Sequence, residues 1–325
     1  MYQLNKTMSL AAMSVVLSST LLSCSLPPFH NSSTDQTQLD VGYEWGSELA
    51  QLPTPPAGMK WQLNSQFSDE FENWDATKWQ AQHNWWNGSG ENRPGAYVEA
   101  EHADDTENVE IKDSKLFLYS KANGPSKEKW VGTSVVSSKQ PISYGYYEVK
   151  MKASMLATTS AFWMQGRFSE IDVIEAIGAP KKGAKNFEKG LSTNFHYFPN
   201  GFGKPGYLNG PIELAAIKNE QAPDGAAHGW HTYGIWWVNE DYAYIYLDGK
   251  RVSDFHRVKE PGHPQTDKLE FPAPFNETMT LFMDTEIWNW GDGKPGTPTP
   301  QELAATDGSN AMQVEWIRAY KLVAE

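Results

Sequence analysis

Three acidic residues interrupt an otherwise strand-forming run, SEIDVIEAIG at 169–178. Glu170, Asp172 and Glu175 stand there among four β-branched residues, a setting in which charged side chains are normally avoided. Because side chains alternate along a strand, Glu170 and Asp172 share one face and a regular strand would turn Glu175 to the other. A β-bulge at 173–174 would absorb one residue and return Glu175 to the face of the first two acids.

With that bulge, Glu170 and Glu175 lie about 13 Å apart between Cα atoms. Side chains leaning inward could then bring the two carboxyls to roughly 5–6 Å, the separation at which a retaining glycosidase places its nucleophile and its acid/base. Asp172 would hydrogen-bond the nucleophile, and its charge would help to keep one neighbouring carboxyl protonated. Two other interpretations are a solvated strand face and a metal site with His196 as a further ligand.

The elements around this strand predict an all-β fold. Short alternating runs are broken by Gly, Pro, Asn and Asp, and helical periodicity is confined to 300–305. This pattern predicts an antiparallel two-sheet β-sandwich. The runs are NVEIKDSKLFLYS (108–120, a hairpin turning at 112–115), GYYEVKMKA (145–153), WHTYGIWWV (230–238), DYAYIYLDGKRV (241–252, with an Asp248-Gly249 turn) and MQVEWIRAYKLV (312–323).

The N-terminal segment has the features of an export signal. Lys6 precedes an apolar run that is too short to span a membrane and that ends in Leu21-Leu22-Ser23-Cys24. This end resembles a bacterial lipobox, which implies a signal peptide over 1–23, lipidation of Cys24 and attachment to the outer membrane. Cys24 is the only cysteine, so an intramolecular disulfide is excluded. The Ser/Thr/Pro-rich residues 24–58 read as a tether to a folded domain over 59–325.

The charge and the aromatic content narrow the class of partner. A formal net charge of −13 argues against nucleic acid, which binds to basic faces. The chain has only five arginines, which disfavours a strongly sulfated ligand, although the acidity is also typical of proteins from saline habitats. Aromatic residues make up 13%, and their flat rings suit both a core and the faces of sugars. We expect a monomer that binds a polysaccharide.

The motif Glu-Ile-Asp-Val-Ile-Glu at 170–175 resembles the E-x-D-x-x-E signature of glycoside hydrolase family 16. FSDEFE (67–72), SYGYYEVKMKA (143–153), SAFWMQG (160–166) and the closing MQVEWIRAYKL (312–322) also resemble that family, so the similarity spans 59–325. It implies a β-jelly-roll sandwich with a concave substrate cleft. Residue by residue it implies that Glu170 is the nucleophile, Asp172 the assisting acid and Glu175 the acid/base.

The same resemblance implies a set of substrate-binding residues. An agarase and porphyranase loop pattern, W-x-G-R-x-P-G, corresponds to Trp86 and Arg93, with four additional residues here. FMDTEIWNW (282–290) resembles a strand of the agar-degrading enzymes. The expected cleft residues are Trp86, Arg93, Trp163, Arg167, His196, Asp284, Glu286 and Trp288. For His196 and Trp163 the alternative is a core position, and for the residues of 282–290 a solvated end of a loop.

The resemblance also bears on cofactors. Some members of the family hold a structural calcium between an acid near the opening of the domain and one in its closing strand. Glu70 and Glu315 are the matching positions. No cofactor is expected for catalysis.

Together these features predict a retaining endo-β-glycosidase that hydrolyses a red-algal galactan. The sequence favours agarose, with porphyran and a κ-carrageenan or furcellaran as alternatives. Porphyran carries sulfate, for which Arg167 and Arg93 are the candidate ligands. A transglycosylase would use the same acids, and a non-catalytic surface lipoprotein that binds polysaccharide is the alternative of another class.

Overall fold

The structure, a computed structural model, describes residues 52–89, 93–206, 208–209, 213–215, 224–256, 275–288 and 295–325. These residues belong to one compact unit, Leu49–Glu325. The predicted signal peptide, the lipidation residue Cys24 and most of the predicted tether lie outside them and stay predictions. Among the described residues, no helix is long and apolar enough to cross a membrane.

Sheet I has eight antiparallel strands in the order β16-β15-β14-β8-β18-β5-β4, and β1 pairs with the other end of β18. Its strands are β1 (Met59–Leu63), β4 (Val109–Ile111), β5 (Leu116–Tyr119), β8 (Gly145–Lys152), β14 (His231–Trp237), β15 (Tyr242–Leu247), β16 (Lys250–His256) and β18 (Ala311–Ala324).

Sheet II also has eight antiparallel strands, in the order β12-β11-β10-β9-β17-β7-β2, with β13 paired to β11. Its strands are β2 (Trp79–Gln80), β7 (Val135–Ser138), β9 (Ser160–Gln165), β10 (Ser169–Ala176), β11 (Leu191–Tyr197), β12 (Leu208–Asn209), β13 (Glu213–Ala215) and β17 (Thr280–Asp284).

The remaining elements are short. Strands β3 (Gly95–Tyr97) and β6 (Val131–Thr133) form a parallel pair, and a 3-10 helix covers Ala103–Asp105. Helix α1 covers Lys185–Lys189. Helix α2 covers Pro300–Leu303, where helical periodicity is predicted, and a capping box between Thr299 and Glu302 starts it.

The main core lies between the two sheets, because each sheet turns alternate apolar side chains toward the other. Its buried side chains include Val149, Ile235 and Ile317 from sheet I and Phe162, Ile171 and Leu281 from sheet II. The predicted two-sheet sandwich is therefore confirmed, with the acidic strand β10 in the middle of sheet II.

Both predicted turns are present. Main-chain hydrogen bonds join Lys112 and Lys115 in both directions between β4 and β5, and Asp248 and Gly249 link β15 to β16 with positive φ angles. In β8, Glu148 is 1% exposed, and the hydroxyl of the buried Tyr146 donates a hydrogen bond to it at 3.0 Å.

The predicted bulge in β10 is also present. Asp172 pairs with Trp163 of β9, but Ile174 pairs with the next residue along, Phe162, so Val173 is the extra residue. Val173 and Ile174 both enter the core, and Glu175 returns to the outer face that carries Glu170 and Asp172. Two consecutive β-branched residues thereby fill the core without displacing an acid into it.

This register predicts how β10 responds to loss of one residue. Deleting Val173 removes the extra residue and leaves Glu-Ile-Asp-Ile-Glu, which alternates strictly, so all three acids stay on the outer face and one apolar side chain is lost from the core. Val173→Ala keeps the bulge, and the cavity it leaves costs only about 1–3 kcal/mol. We expect the deletion and Val173→Ala to lower the melting temperature to a similar extent, as measured by circular dichroism, because both remove the same core side chain and neither buries an acid. Loss of the fold in the deletion variant alone would contradict this account of the bulge.

Candidate active site

The acids of β10 lie in register with polar and aromatic residues of the neighbouring strands. Glu170 lies between His196 of β11 and Gln165 of β9. Asp172, two residues on, lies beside Trp163 of β9. Because these side chains share the outer face of sheet II, they converge on one cleft.

His196 lies beside the first two acids of β10. Its Nε2 lies 3.0 Å from an Asp172 oxygen and 3.4 Å from a Glu170 oxygen. Asp172 is only 4% exposed, so a nearby cation is more effective there than in water. The structure therefore places His196 within contact of both Glu170 and Asp172.

The two glutamates differ in how firmly they hold a proton. Burial, followed by the charges of Asp172 and Glu170, holds the pKa of Glu175 well above its usual range. Burial and the charge of Asp172 also raise the pKa of Glu170, to about 8, but the charge of His196 and a hydrogen bond from Gln165 act in the opposite direction. Glu175 thus keeps its proton when Glu170 has lost one.

Gln165 is a site residue that the sequence interpretation missed. Its Nε2 donates a short hydrogen bond to Oε2 of Glu170, and its Oε1 accepts one from the indole Nε1 of Trp85 at 2.9 Å. The available signal was strand alternation, because Gln165 stands two residues after Trp163 and faces the same side.

The prediction that Asp284 binds substrate is wrong. Asp284 is fully buried behind the cleft wall, and its oxygens accept hydrogen bonds from Tyr97 and, at 3.2 Å, from Nε1 of Trp163. It therefore holds the cleft tryptophan in place. Trp163 itself stacks on Phe282, with ring centroids 4.6 Å apart, and forms part of the cleft wall.

Glu286 reaches the cleft, where Arg93 approaches one of its oxygens to 2.8 Å. Burial and the charge of Asp284 hold the pKa of Glu286 well above its usual range. Burial also raises the pKa of Asp284, to about 6, while hydrogen bonds from Tyr97 and from Glu286 itself oppose that rise. Glu286 therefore holds a proton more firmly than a free glutamate does, and the guanidinium of Arg93 lies beside it.

A cavity of about 380 Å³ opens over these groups. Trp86 and Trp288 line it as predicted, and Phe198, Phe202 and Lys204 line it without having been predicted. Trp288 is held by an edge contact with Phe187, with ring centroids 5.0 Å apart. Aromatic faces beside carboxyls make a site that can stack a sugar ring and bind its hydroxyls.

A second cavity of about 540 Å³ shares Gln165, Phe202 and Lys204 with the first. Arg167 and Trp85 also line it. Arg167 is exposed, and its guanidinium lies 5.0 Å from the ring centroid of Phe168. Arg167 and Lys204 together make this part of the cleft basic.

The turn before Glu170 is fixed by Glu277. Its carboxylate accepts hydrogen bonds from the main-chain N–H groups of Arg167 and Phe168, each at 2.8 Å, and from the hydroxyl of Ser169 at 2.6 Å. A Cβ on Gly166 would lie 2.3 Å from this carboxyl, so glycine is required for the approach. The turn that immediately precedes Glu170, the candidate nucleophile, is therefore held in one conformation.

The expected calcium ligands do not fit a metal. Glu70 is bound through both oxygens by the guanidinium of Arg318, at 2.8 and 3.2 Å, and Glu315 pairs with Lys150 at 3.1 Å. The structure thus engages the two acids in separate ion pairs, and the guanidinium at Glu70 opposes a cation. Within the described ranges, the group with metal-ligand spacing is Glu170, Asp172 and His196, which belongs to the cleft.

The chain is similar to known proteins along most of its length. The model of the family described as the GH16 domain of beta-porphyranases A–D matches residues 61–322. Beta-porphyranase E of Zobellia galactanivorans is 32% identical over 283 aligned residues, which cover 82% of this chain and 90% of that protein. Beta-agarase AgaB34 of Agarivorans albus is 26% identical over 292 residues, covering 83% of this chain and 59% of that protein.

A solved structure agrees with this similarity. The beta-porphyranase BpGH16B from the human gut bacterium Bacteroides plebeius matches with a TM-score of 0.68 at 26% identity. The match covers 84% of this chain and 96% of that one. The predicted jelly-roll fold is therefore confirmed.

The raised pKa of Glu286 and the buried hydrogen bonds that Asp284 accepts predict unequal effects of neutralising the two acids. Glu286→Gln resembles the protonated acid and leaves one negative charge opposite Arg93, so we expect a loss below about 1 kcal/mol in unfolding free energy. Asp284→Asn removes the anion that accepts from Tyr97 and Trp163, and should cost about 2–4 kcal/mol. Urea unfolding at neutral pH measures both. A larger loss of unfolding free energy for Glu286→Gln than for Asp284→Asn would contradict this account of the two acids.

Proposed function

The chain belongs to glycoside hydrolase family 16, and from this premise we propose that it is a retaining endo-β-glycosidase whose substrate is the red-algal galactan porphyran. The observation that carries the proposal is the placement of Glu170, Asp172 and Glu175 on one face by the bulge at Val173. The match to the porphyranase model over 61–322 supports the choice of substrate.

In the first step Glu170 attacks the anomeric carbon and forms a glycosyl ester. Glu175 donates its proton to the departing glycosidic oxygen, so the bond to the leaving sugar breaks as the ester forms. Asp172 and His196 adjoin the nucleophile and keep it oriented. The elevated pKa of Glu175 is what an acid needs in order to remain protonated near neutral pH.

In the second step Glu175, now ionised, takes a proton from a water molecule. The resulting nucleophile attacks the anomeric carbon, the ester breaks, and Glu170 returns to its carboxylate form. The sugar is released with the configuration that it had in the polymer. Two inversions at one carbon account for the retained stereochemistry.

The basic part of the cleft supports a sulfated substrate. Arg167 and Lys204 line one cavity next to the catalytic acids. A guanidinium and an ammonium group together can bind the oxygen atoms of a sulfate. Arg93, the other candidate sulfate ligand, is already paired with Glu286. Agarose, which the sequence favours, is the second candidate, because a beta-agarase matches 83% of the chain.

The proposal extends to where the enzyme acts. We propose that the signal segment directs export and that lipidated Cys24 anchors a monomeric catalytic domain at the outer membrane. The apolar run that ends at the single cysteine supports this placement. Mass analysis of the mature N-terminus tests it directly, because an acylated Cys24 differs in mass from a free one.

The catalytic roles are tested on a panel of porphyran, agarose, κ-carrageenan and laminarin. Glu170→Gln should lower kcat by at least about a thousand-fold with little change in melting temperature, since it removes the nucleophile but keeps the shape of the side chain. Glu175→Ala should regain activity with azide on an activated substrate and release a β-glycosyl azide. Reducing ends and product mass are the measurements.

Two results would overturn these roles. If wild type and Glu170→Gln were equally inactive on all four polysaccharides while binding one of them, the protein would be a carbohydrate-binding lipoprotein. An inverted product without azide rescue would exclude the retaining assignment. Faster cleavage of agarose than of porphyran would identify an agarase.

The sulfate contact gives a separate prediction. Arg167→Ala and Lys204→Ala should each lower kcat/KM on porphyran about ten-fold, the value of one charge-assisted contact near the surface, and change cleavage of agarose little. Lys112→Ala, an exposed cation in the turn between β4 and β5, is the matched control. Equal losses on both polysaccharides would assign the two cations to general substrate binding instead.

A further inference from the structure

We propose that Trp85 and Gln165 form a positioning pair for the nucleophile, in which the indole N–H of Trp85 orients the Gln165 amide and that amide holds Glu170. The inference rests on the proposed function, because it assigns Glu170 as the nucleophile. It adds two residues for which the sequence interpretation assigned no role.

Gln165 is suited to this task by its place in the sheet. It ends β9 directly beside Glu170, so its side chain needs to cross only one interstrand spacing to reach the carboxylate. Gln165 is 1% exposed, which limits competition from water for its amide. The amide donates to Oε2 of Glu170, whereas the other oxygen, Oε1, faces His196 at 3.4 Å. The two carboxylate oxygens are therefore held from opposite sides.

An amide side chain can bind in two orientations that exchange its oxygen and nitrogen. Only one of them presents an N–H to Glu170. Trp85 selects that orientation, because its indole can donate but not accept, and it donates to Oε1 of Gln165 at 2.9 Å. In the reversed orientation an N–H would face the indole N–H and an oxygen would face the carboxylate.

Contacts with neighbouring aromatic rings hold Trp85 in place. Its ring makes edge contacts with His83, with centroids 4.8 Å apart, and with Phe282 at 5.7 Å. Burial lowers the pKa of His83 to about 3, so this support stays neutral across the working pH range. The upper part of Trp85 is open, with 46% of the residue exposed, and lies in the wall of the second cavity. A sugar that stacks there would rest on the same ring that orients the nucleophile.

The hydrogen bond also bears on the protonation of Glu170. Gln165 lowers the pKa of Glu170 against the larger effect of burial. A nucleophile must be ionised, so its pKa sets the acidic limb of the pH profile. Loss of the Gln165 donor raises that pKa, and the acidic limb then moves to higher pH.

The test compares Gln165→Leu, Trp85→Phe and Trp85→Ala on porphyran across a range of pH. Gln165→Leu should lower kcat about ten- to a hundred-fold, the loss of one hydrogen bond to a charged group, with KM nearly unchanged and the acidic limb at higher pH. Trp85→Phe keeps an aromatic ring and loses the donor. It should lower kcat about two- to ten-fold with the same shift in the acidic limb. Trp85→Ala should in addition raise KM.

The double variant Trp85→Phe/Gln165→Leu separates a positioning pair from two independent contacts. If Trp85 acts through Gln165, the double variant should be no slower than Gln165→Leu alone. Multiplicative losses would overturn the proposal, as would an unchanged kcat and pH profile in Gln165→Leu. Gln140→Leu and Trp236→Phe, which lie outside the cleft, are the controls and should match wild type.

A measurement without substrate keeps this proposal distinct from the proposed function. The Glu170 carboxyl can be titrated by carbon-13 NMR, with its signal assigned by its absence in Glu170→Gln. We expect Gln165→Leu and Trp85→Phe to raise the pKa of Glu170 relative to wild type, whichever polysaccharide is cleaved. An unchanged pKa in Gln165→Leu would reject the positioning pair even if porphyran is hydrolysed, and a raised one would support it even if porphyran is not.

Discussion

The extra residue at Val173 is the constraint on which the site depends. Strand β10 must bury β-branched residues between two sheets and also present three carboxyls on its outer face. Regular alternation cannot do both with acids spaced two and then three residues apart. The bulge reconciles the two demands by placing Val173 and Ile174 together in the core. The same residue therefore serves the packing of the sandwich and the geometry of its cleft.

Acids that share one buried face repel each other unless some are protonated or paired with basic groups. The cleft and the wall behind it hold five carboxyls, those of Glu170, Asp172, Glu175, Asp284 and Glu286. Arg93 pairs with Glu286, and His196 lies beside Glu170 and Asp172. In a buried setting such a cluster retains protons instead of ionising completely. The raised pKa of Glu175 suits the proposed acid/base role, whereas Asp284 accepts the hydrogen bond that holds Trp163 in the cleft wall.

Much of this arrangement could be predicted from the sequence. The spacing of Glu170, Asp172 and Glu175 predicts the bulge, and alternating runs predict the sandwich, because both follow from local periodicity. The sequence does not indicate that Asp284 is buried, because its partner Tyr97 comes from a segment distant in sequence. Glu70 shows the same limit: its pairing with Arg318 joins opposite ends of the domain, and no local pattern indicates it.

The hydrogen bonds that Glu277 accepts from the turn before Glu170 bear on which sequence changes the turn can tolerate. Glu277 holds the turn through the main-chain N–H groups of Arg167 and Phe168, not through their side chains. Any residue except proline supplies the same N–H. Position 167 can thus change its side chain while Glu170, three residues later, stays in place. Under the proposed sulfate contact, a substitution there would change the preferred polymer and leave the three acids of β10 where they are.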